Sequence, residues 1–167
     1  LYEQKKPSED FRNQLALFRK DHPWVFPYAC FKTLKAKFNN LPWWQWDDPY
    51  KKSTPELLAN LELSFFDAIQ LEIFIQMSCF QQLARASQEA EKLKVFLCCD
   101  LPHFCQLDST EGWSHSSLFL LNSTAGAPPD AFSTEGQNWN LAPWNWDANP
   151  GDVLKLWQDR NSLFASY

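Results

Sequence analysis

Lys94-Val95-Phe96-Leu97-Cys98-Cys99-Asp100 is a short apolar run that ends on a carboxylate. It follows a long helical pattern directly. Its length and place suit a buried parallel strand, apolar on both faces because helices cover both. One strand cannot make a sheet, since its backbone N–H and C=O groups need partners. The expectation is therefore an α/β protein whose other strands lie outside this chain. The only methionine is Met77, the chain opens at Leu1, and it closes at Tyr167 straight after an apolar-periodic run. These features favour a segment of something longer.

Upstream the pattern is helical. Ser8 is placed to cap a first helix with Phe11, Leu15 and Phe18 on one face, and His22-Pro23 stops it. Tyr28, Phe31, Leu34 and Phe38 recur at three- and four-residue spacing, which predicts a second helix over about 24–38. Thr54-Pro55 is a good helix start, with Thr at the N-cap and Pro at the first helical position. Helix is expected from there to about Leu93, with a break near Ser64. Leu71, Phe74, Ile75, Met77, Phe80, Leu83 and Ala86 mark its expected buried face. Downstream of Asp100 the chain reads as irregular to about Asn149. Helix returns from Gly151 to Phe164, with Val153, Leu154, Leu156, Trp157 and Leu163 apolar.

Counts narrow the function. The 167 residues include nine Trp and fourteen Phe but only four Gly, and none of these precedes Gly112. That excludes a glycine-rich phosphate loop or dinucleotide fingerprint from the first two thirds, since both need several glycines at short spacing. A net charge of −5, with no cluster of basic residues, argues against nucleic-acid binding. No run reaches the length of a membrane helix, so no membrane is expected. Five cysteines, an odd number that includes the adjacent Cys98 and Cys99, fit reduced thiols better than a disulfide framework. The expected location is cytoplasmic, or a plastid for a plant or algal protein.

Three groups could carry chemistry. Asp100 sits where α/β barrels place functional groups, at the carboxyl end of a strand, but it could equally cap the turn that leads to Pro102. The stretch from Ala127 to Asp147 alternates prolines, polar groups and aromatics. That suits a sugar, whose C–H face packs on an aromatic ring and whose hydroxyls bond Asp, Asn, Gln or Glu. Composition alone fits a Trp-rich loop packed on its own domain better. Cys98, Cys99, His103 and Cys105 form no CxxC, and adjacent cysteines on a strand face opposite ways, so no metal site is expected. No orienting partner or oxyanion hole for a Cys–His nucleophile is evident. Trp43, Trp44 and Trp46, after Pro42, read as loop anchors, and His22 and His115 as isolated.

Taken together, these residues resemble the 4-α-glucanotransferases, the amylomaltases or disproportionating enzymes of glycoside hydrolase family 77. Gly126-Ala-Pro128-Pro129-Asp130-Ala-Phe132-Ser-Thr-Glu-Gly136-Gln137-Asn-Trp139 is similar to that family's Gly-x-Pro-Pro-Asp-x-Phe-x-x-x-Gly-Gln-x-Trp signature. Cys99-Asp100-Leu-Pro102 resembles its Gly-Asp-Leu/Met-Pro. Asp108-Ser109-x-x-x-Trp113 resembles its Asp-Ser-x-x-Val-Trp. Tyr28-Ala-Cys-Phe31-Lys-Thr-Leu34-Lys35 resembles a segment of its helical insertion.

The resemblance implies a (β/α)8 TIM barrel with helical insertions. Residues 1–93 are then helical insertion and barrel helix, and residues 94–167 are barrel strand, substrate loop and following helix. It implies retaining transfer of α-1,4-glucan segments to a 4-hydroxyl acceptor by two carboxylates, with no external cofactor. Substrate-binding residues would be Asp100, Asp130, Phe132, Gln137 and Trp139, with Pro128, Pro129 and Gly136 shaping the loop; Trp113 would pack behind it. The partners implied are α-1,4-glucan oligosaccharides and the rest of the barrel. The family's nucleophile lies in an Arg-Ile/Leu-Asp-His strand, and no such motif occurs in this sequence. The chain alone is thus expected to be inactive, and a non-catalytic glucan-binding protein derived from such an enzyme is the other reading. Two further departures are Asn140, where the family usually has Gly, and Ala131, where many members carry a larger side chain.

Overall fold

The computed structural model describes residues 2–5, 8–98, 100 and 102–164. The chain divides into two compact units, Leu1–Leu97 and Cys98–Tyr167.

The first unit is helical: α1 (Tyr2–Lys5), α2 (Glu9–Asp21), α3 (Val25–Lys37), a 3-10 turn at Trp43–Gln45, α4 (Pro55–Ser64) and α5 (Phe66–Lys92). Its starts follow local chemistry. Ser8 accepts a hydrogen bond from the Phe11 N–H, and Thr54 from the Leu57 N–H, each relieving a donor left open by the first helical turn. The break after α4 falls at Phe65, one residue beyond the expected Ser64.

α3 packs against α5, and α2 and α4 close around them. Val25, Ala29, Cys30 and Leu34 of α3 are fully buried, as are Ile69 and Ile73 of α5. The expected face of α5 needs correcting. Phe74 and Met77 are buried, but Leu71, Ile75 and Leu83 remain 40%, 39% and 45% exposed. The helix is apolar on more than one side. The line Ile69–Ile73–Met77, spaced by four residues, is the one turned inward. Trp43 and Trp46 are buried anchors as expected, whereas Trp44 is 41% exposed. His22 is structural, its ring lying 4.4 Å from that of Phe18 and 4.8 Å from that of Phe80. No single helix among the described residues is long and apolar enough to cross a membrane.

The strand expected over 94–100 is not formed. Val95 to Cys98 and Asp100 are unpaired coil, and Phe96 is 95% exposed; Cys99 and Leu101 lie outside the described residues. The first donors of that run are spent on ending α5, since the Lys94 N–H bonds the Glu91 carbonyl and the Val95 N–H bonds that of Ala90. Lys94 itself takes a left-handed φ of 58°. A strand with no parallel neighbour gains nothing for its remaining backbone groups.

The second unit also departs from the irregular stretch expected there. It contains β1 (Cys105–Gln106), α6 (Thr110–Ser114), β2 (Ala125–Ala127), β3 (Gln137–Ala142) and, as expected, α7 (Pro150–Phe164). The strands form one antiparallel sheet in the order β1-β3-β2. Below it Cys105, Leu118, Phe119, Ala142, Trp144 and Val153 form a core. The rings of Phe119 and Trp144 lie 4.6 Å apart, and the Trp144 Nε1–H donates to the His103 carbonyl at 2.9 Å. Leu156 and Trp157 pack on this core from α7, while Leu154 is 54% exposed. The side chain of Leu163 lies outside the described residues. Trp113 is buried in α6.

Candidate functional site

The Pro-Pro-Asp stretch is the tip of a β-hairpin. Ala127 pairs with Gln137 and Gly126 with Asn138, so residues 128–136 form the connection between β2 and β3. Gly136 takes a φ of +74°, and a Cβ there would lie 2.7 Å from the Ala127 carbonyl oxygen. That position therefore favours glycine on both conformation and space. Gly126 is needed for a different reason: a Cβ there would lie 2.1 Å from the Gln137 carbonyl oxygen.

Asp130 organises the tip. Its Oδ1 accepts hydrogen bonds from the Phe132 N–H at 2.8 Å and the Ser133 N–H at 2.7 Å. Its own N–H donates to the Ser133 carbonyl, and the Ser133 hydroxyl donates to the Gly136 carbonyl. An aspartate that bonds backbone N–H groups two and three residues on is a turn-forming device. It throws the Phe132 ring outward, to 99% exposure.

Trp139 and Gln137 form a second feature on β3. The Trp139 Nε1–H donates to the Gln137 Oε1 at 2.9 Å. This fixes the amide against the ring and leaves its NH2 as a donor for a hydroxyl. The pairing of β3 is irregular here. Gly126 faces Asn138, but its neighbour Ala125 faces Leu141, so Trp139 and Asn140 are both extra residues on β3. Bulges of this kind re-aim a side chain, and Trp139 stays 45% exposed.

Asp130, Phe132, Gly136, Gln137 and Trp139 thus share one hairpin, with Pro128 and Pro129 exposed on the turn out of β2. Asp100 lies in coil, exposed, and no described hydrogen bond ties it to the hairpin. The sequence reading missed the hairpin itself. β3 reads Gln-Asn-Trp-Asn-Leu-Ala, with four exposed residues in a row, and so shows no alternation. The one available signal was the glycine at each end of the Pro-Pro-Asp turn.

The described cysteines divide in two. Cys30 and Cys105 are buried, whereas Cys79 and Cys98 are exposed. Burial, helped by Glu62 and opposed by Arg19, pushes the Cys30 thiol up to about 12. Burial, helped by Glu111 and opposed by Arg160, pushes Cys105 up to about 11. Thiolates react and thiols do not. Native protein treated with iodoacetamide near neutral pH is therefore expected to be labelled at Cys79 and spared at Cys30 and Cys105. Peptide mass mapping reads the result, and modification of Cys105 at the rate of Cys79 would contradict the burial. Among the described residues no three His, Cys, Asp or Glu side chains gather in one place. A cavity of about 670 Å³ lies in the helical unit, lined by Leu15, Arg19, Phe26, Glu62 and Phe66 among others. It contains none of the hairpin residues. The hairpin itself is an open ledge, with groups aimed outward.

Comparison with known proteins agrees with the motif reading. The family profile described as 4-alpha-glucanotransferase matches residues 1–167. The 4-alpha-glucanotransferase of Thermus thermophilus is 31% identical over 159 residues, covering 91% of this chain and 32% of that protein. The 4-alpha-glucanotransferase DPE2 of Oryza sativa subsp. japonica is 32% identical over 150 residues, covering 89% of this chain and 16% of that protein. The solved amylomaltase from Streptococcus agalactiae in complex with acarbose superposes with a TM-score of 0.83 at 26% identity, covering 96% of this chain and 36% of that one. The chain thus spans a third or less of the length of the two curated relatives it is set beside. With the profile matched from end to end and the signature folded as one hairpin, the chain belongs to the 4-alpha-glucanotransferase family.

Proposed function

We propose that this chain forms part of a retaining 4-alpha-glucanotransferase, in which it supplies a wall of the glucan-binding cleft. The observation that carries the reading is the hairpin of β2 and β3. There the family's signature presents an exposed aromatic ring at Phe132 and a second at Trp139, braced on the Gln137 amide. An exposed ring beside an oriented amide matches the two faces of a glucose unit, apolar C–H and polar hydroxyl.

In this reading Phe132 and Trp139 stack on glucose rings, and the NH2 of Gln137 donates to a hydroxyl. Asp130 holds the tip with Oδ1, leaving Oδ2 to accept from the sugar. Asp100 lines the floor of the donor site. Pro128 and Pro129 stiffen the tip and Gly136 allows its tight turn, so the prolines limit the entropy lost when the sugar orders it. The catalytic carboxylates come from elsewhere in the polypeptide. One attacks the anomeric carbon to form a glucanosyl-enzyme while the other protonates the departing glycosidic oxygen; the latter then takes the proton of a second sugar's 4-hydroxyl, which replaces water and receives the chain. Residues 1–93 serve as helical insertion and barrel helix. Residues 94–167 bring the hairpin to the rim of a (β/α)8 barrel, whose neighbouring strands would give the run from Lys94 to Asp100 its backbone partners.

Trp139→Ala in the full-length enzyme tests this. Loss of a stacking ring and of its grip on Gln137 is expected to cost about 2 kcal/mol, or roughly thirtyfold in kcat/KM for maltodextrin disproportionation. Circular dichroism should be unchanged. Undiminished turnover would overturn the reading. Maltoheptaose binding by a full-length protein with no turnover would favour a non-catalytic glucan-binding protein instead.

A further inference from the structure

We propose that Asn138 is a positioning residue for Trp139, and so a determinant of how tightly this hairpin holds its ligand; the ligand part of this rests on the sugar-binding reading of Trp139. Asn140 takes a left-handed φ of 54°. Most side chains disfavour that conformation, and asparagine is among the few non-glycine residues that tolerate it. The local bond here comes from two residues back. The Asn138 Oδ1 accepts from the Asn140 N–H at 2.8 Å and from the Thr124 hydroxyl at 2.9 Å. Thr124 immediately precedes β2 (Ala125–Ala127).

One side-chain oxygen therefore ties the entry of β2 to the bulge on β3, at the point where the register slips between Ala125 and Gly126. Trp139 sits between Asn138 and Asn140. Its backbone direction is set by that oxygen on one side. Its ring is set by Gln137 Oε1 on the other, at 2.9 Å. Where the resembling signature has Gly at position 140, a left-handed turn forms without help. With Asn140 in this chain, Asn138 supplies the cap that keeps the bulge open and the Trp139 ring aimed outward.

The test uses the full-length protein labelled with fluorotryptophan, with the Trp139 fluorine signal identified by Trp139→Phe. Asn138→Leu removes both hydrogen bonds. It is expected to shift or broaden the Trp139 signal, and to weaken maltoheptaose binding and raise KM about tenfold. The turnover number at saturation should stay within about twofold, because the interaction is made in ground and transition states alike. Asn138→Asp keeps an oxygen acceptor for both donors and should behave as wild type. Asn138→Leu combined with Asn140→Gly should recover most of the loss, since glycine needs no cap. The proposal is overturned if Asn138→Leu leaves the signal and the affinity unchanged, or if Asn138→Asp matches Asn138→Leu. If Asn138→Leu alone does not fold, recovery of folded protein by the double variant supports the proposal, and failure to recover overturns it. A wild-type Trp139 signal unmoved by saturating maltoheptaose overturns the sugar-binding reading instead, while the comparison of variant signals still judges the positioning.

Discussion

Gly126→Ala is expected to pull the β2–β3 hairpin apart. The new Cβ would lie 2.1 Å from the Gln137 carbonyl oxygen and 3.2 Å from its carbon. Both are backbone atoms, so no side chain can rotate away to make room. Relief requires β2 and β3 to separate by more than an ångström at the Gly126–Asn138 and Ala127–Gln137 pairs that hold the loop. Those hydrogen bonds then lose their geometry together. A backbone clash of this kind costs about 3 kcal/mol or more locally. Hydrogen exchange should show this as a roughly hundredfold loss of amide protection across β2 and β3. The helical unit should keep its protection. If the proposed glucan-binding role holds, maltodextrin turnover in the full-length enzyme should fall at least as far as with Trp139→Ala, because Phe132, Gln137 and Trp139 lose their common frame at once. Native exchange rates in Gly126→Ala would show that the strands are not as close as described.

Trp46→Ala is expected to be the most damaging single truncation in the helical unit. Trp46 is 1% exposed, the largest fully buried side chain among the described residues of the helical unit. Its ring stacks on Phe38 at 5.5 Å and 15°, meets Phe31 at 5.5 Å, and its Nε1–H donates to the Leu41 carbonyl at 2.9 Å. The side chain thus ties the loop after α3 back onto α3. Removing it loses the transfer energy of an indole, opens a cavity and takes one of two donors from the Leu41 carbonyl, which keeps the Lys35 Nζ at 3.0 Å, for about 3–5 kcal/mol in all. Guanidinium denaturation followed by circular dichroism should register most of that. Trp46→Phe keeps a stacking ring and loses the hydrogen bond and some volume, so it should cost about 1–2 kcal/mol. Trp44, 41% exposed, should cost below about 1 kcal/mol as alanine. Equal losses at Trp44 and Trp46 would refute the anchoring role.

These two residues also show how far the chain could be read without its fold. Three tryptophans within four residues look alike in sequence, and their shared reading as loop anchors holds for Trp43 and Trp46 but not for Trp44. Gly126 announced itself only as a member of a signature. That it sits inside a strand, against a backbone oxygen of the opposite strand, depends on a pairing that composition does not reveal. The signature implies a sugar contact at Asp130. Its Oδ1 is occupied by the Phe132 and Ser133 N–H groups, which gives it a shaping role beside any contact made by its other oxygen.

What the sequence determined by itself was whatever rests on neighbours a few residues apart. The caps at Ser8 and Thr54, the helices they start, and α7 follow from donors, acceptors and periodicity within a turn or two. The long ordered signature was also enough for the family. The tertiary structure alone decided which stripe of α5 turns inward, because a helix apolar on several sides has no preferred face until another helix chooses one. It alone decided that the run from Lys94 to Cys98 forms no strand while the polar residues of β3 do. A strand is held by hydrogen bonds to another stretch of chain, and its existence depends on whether that partner is present.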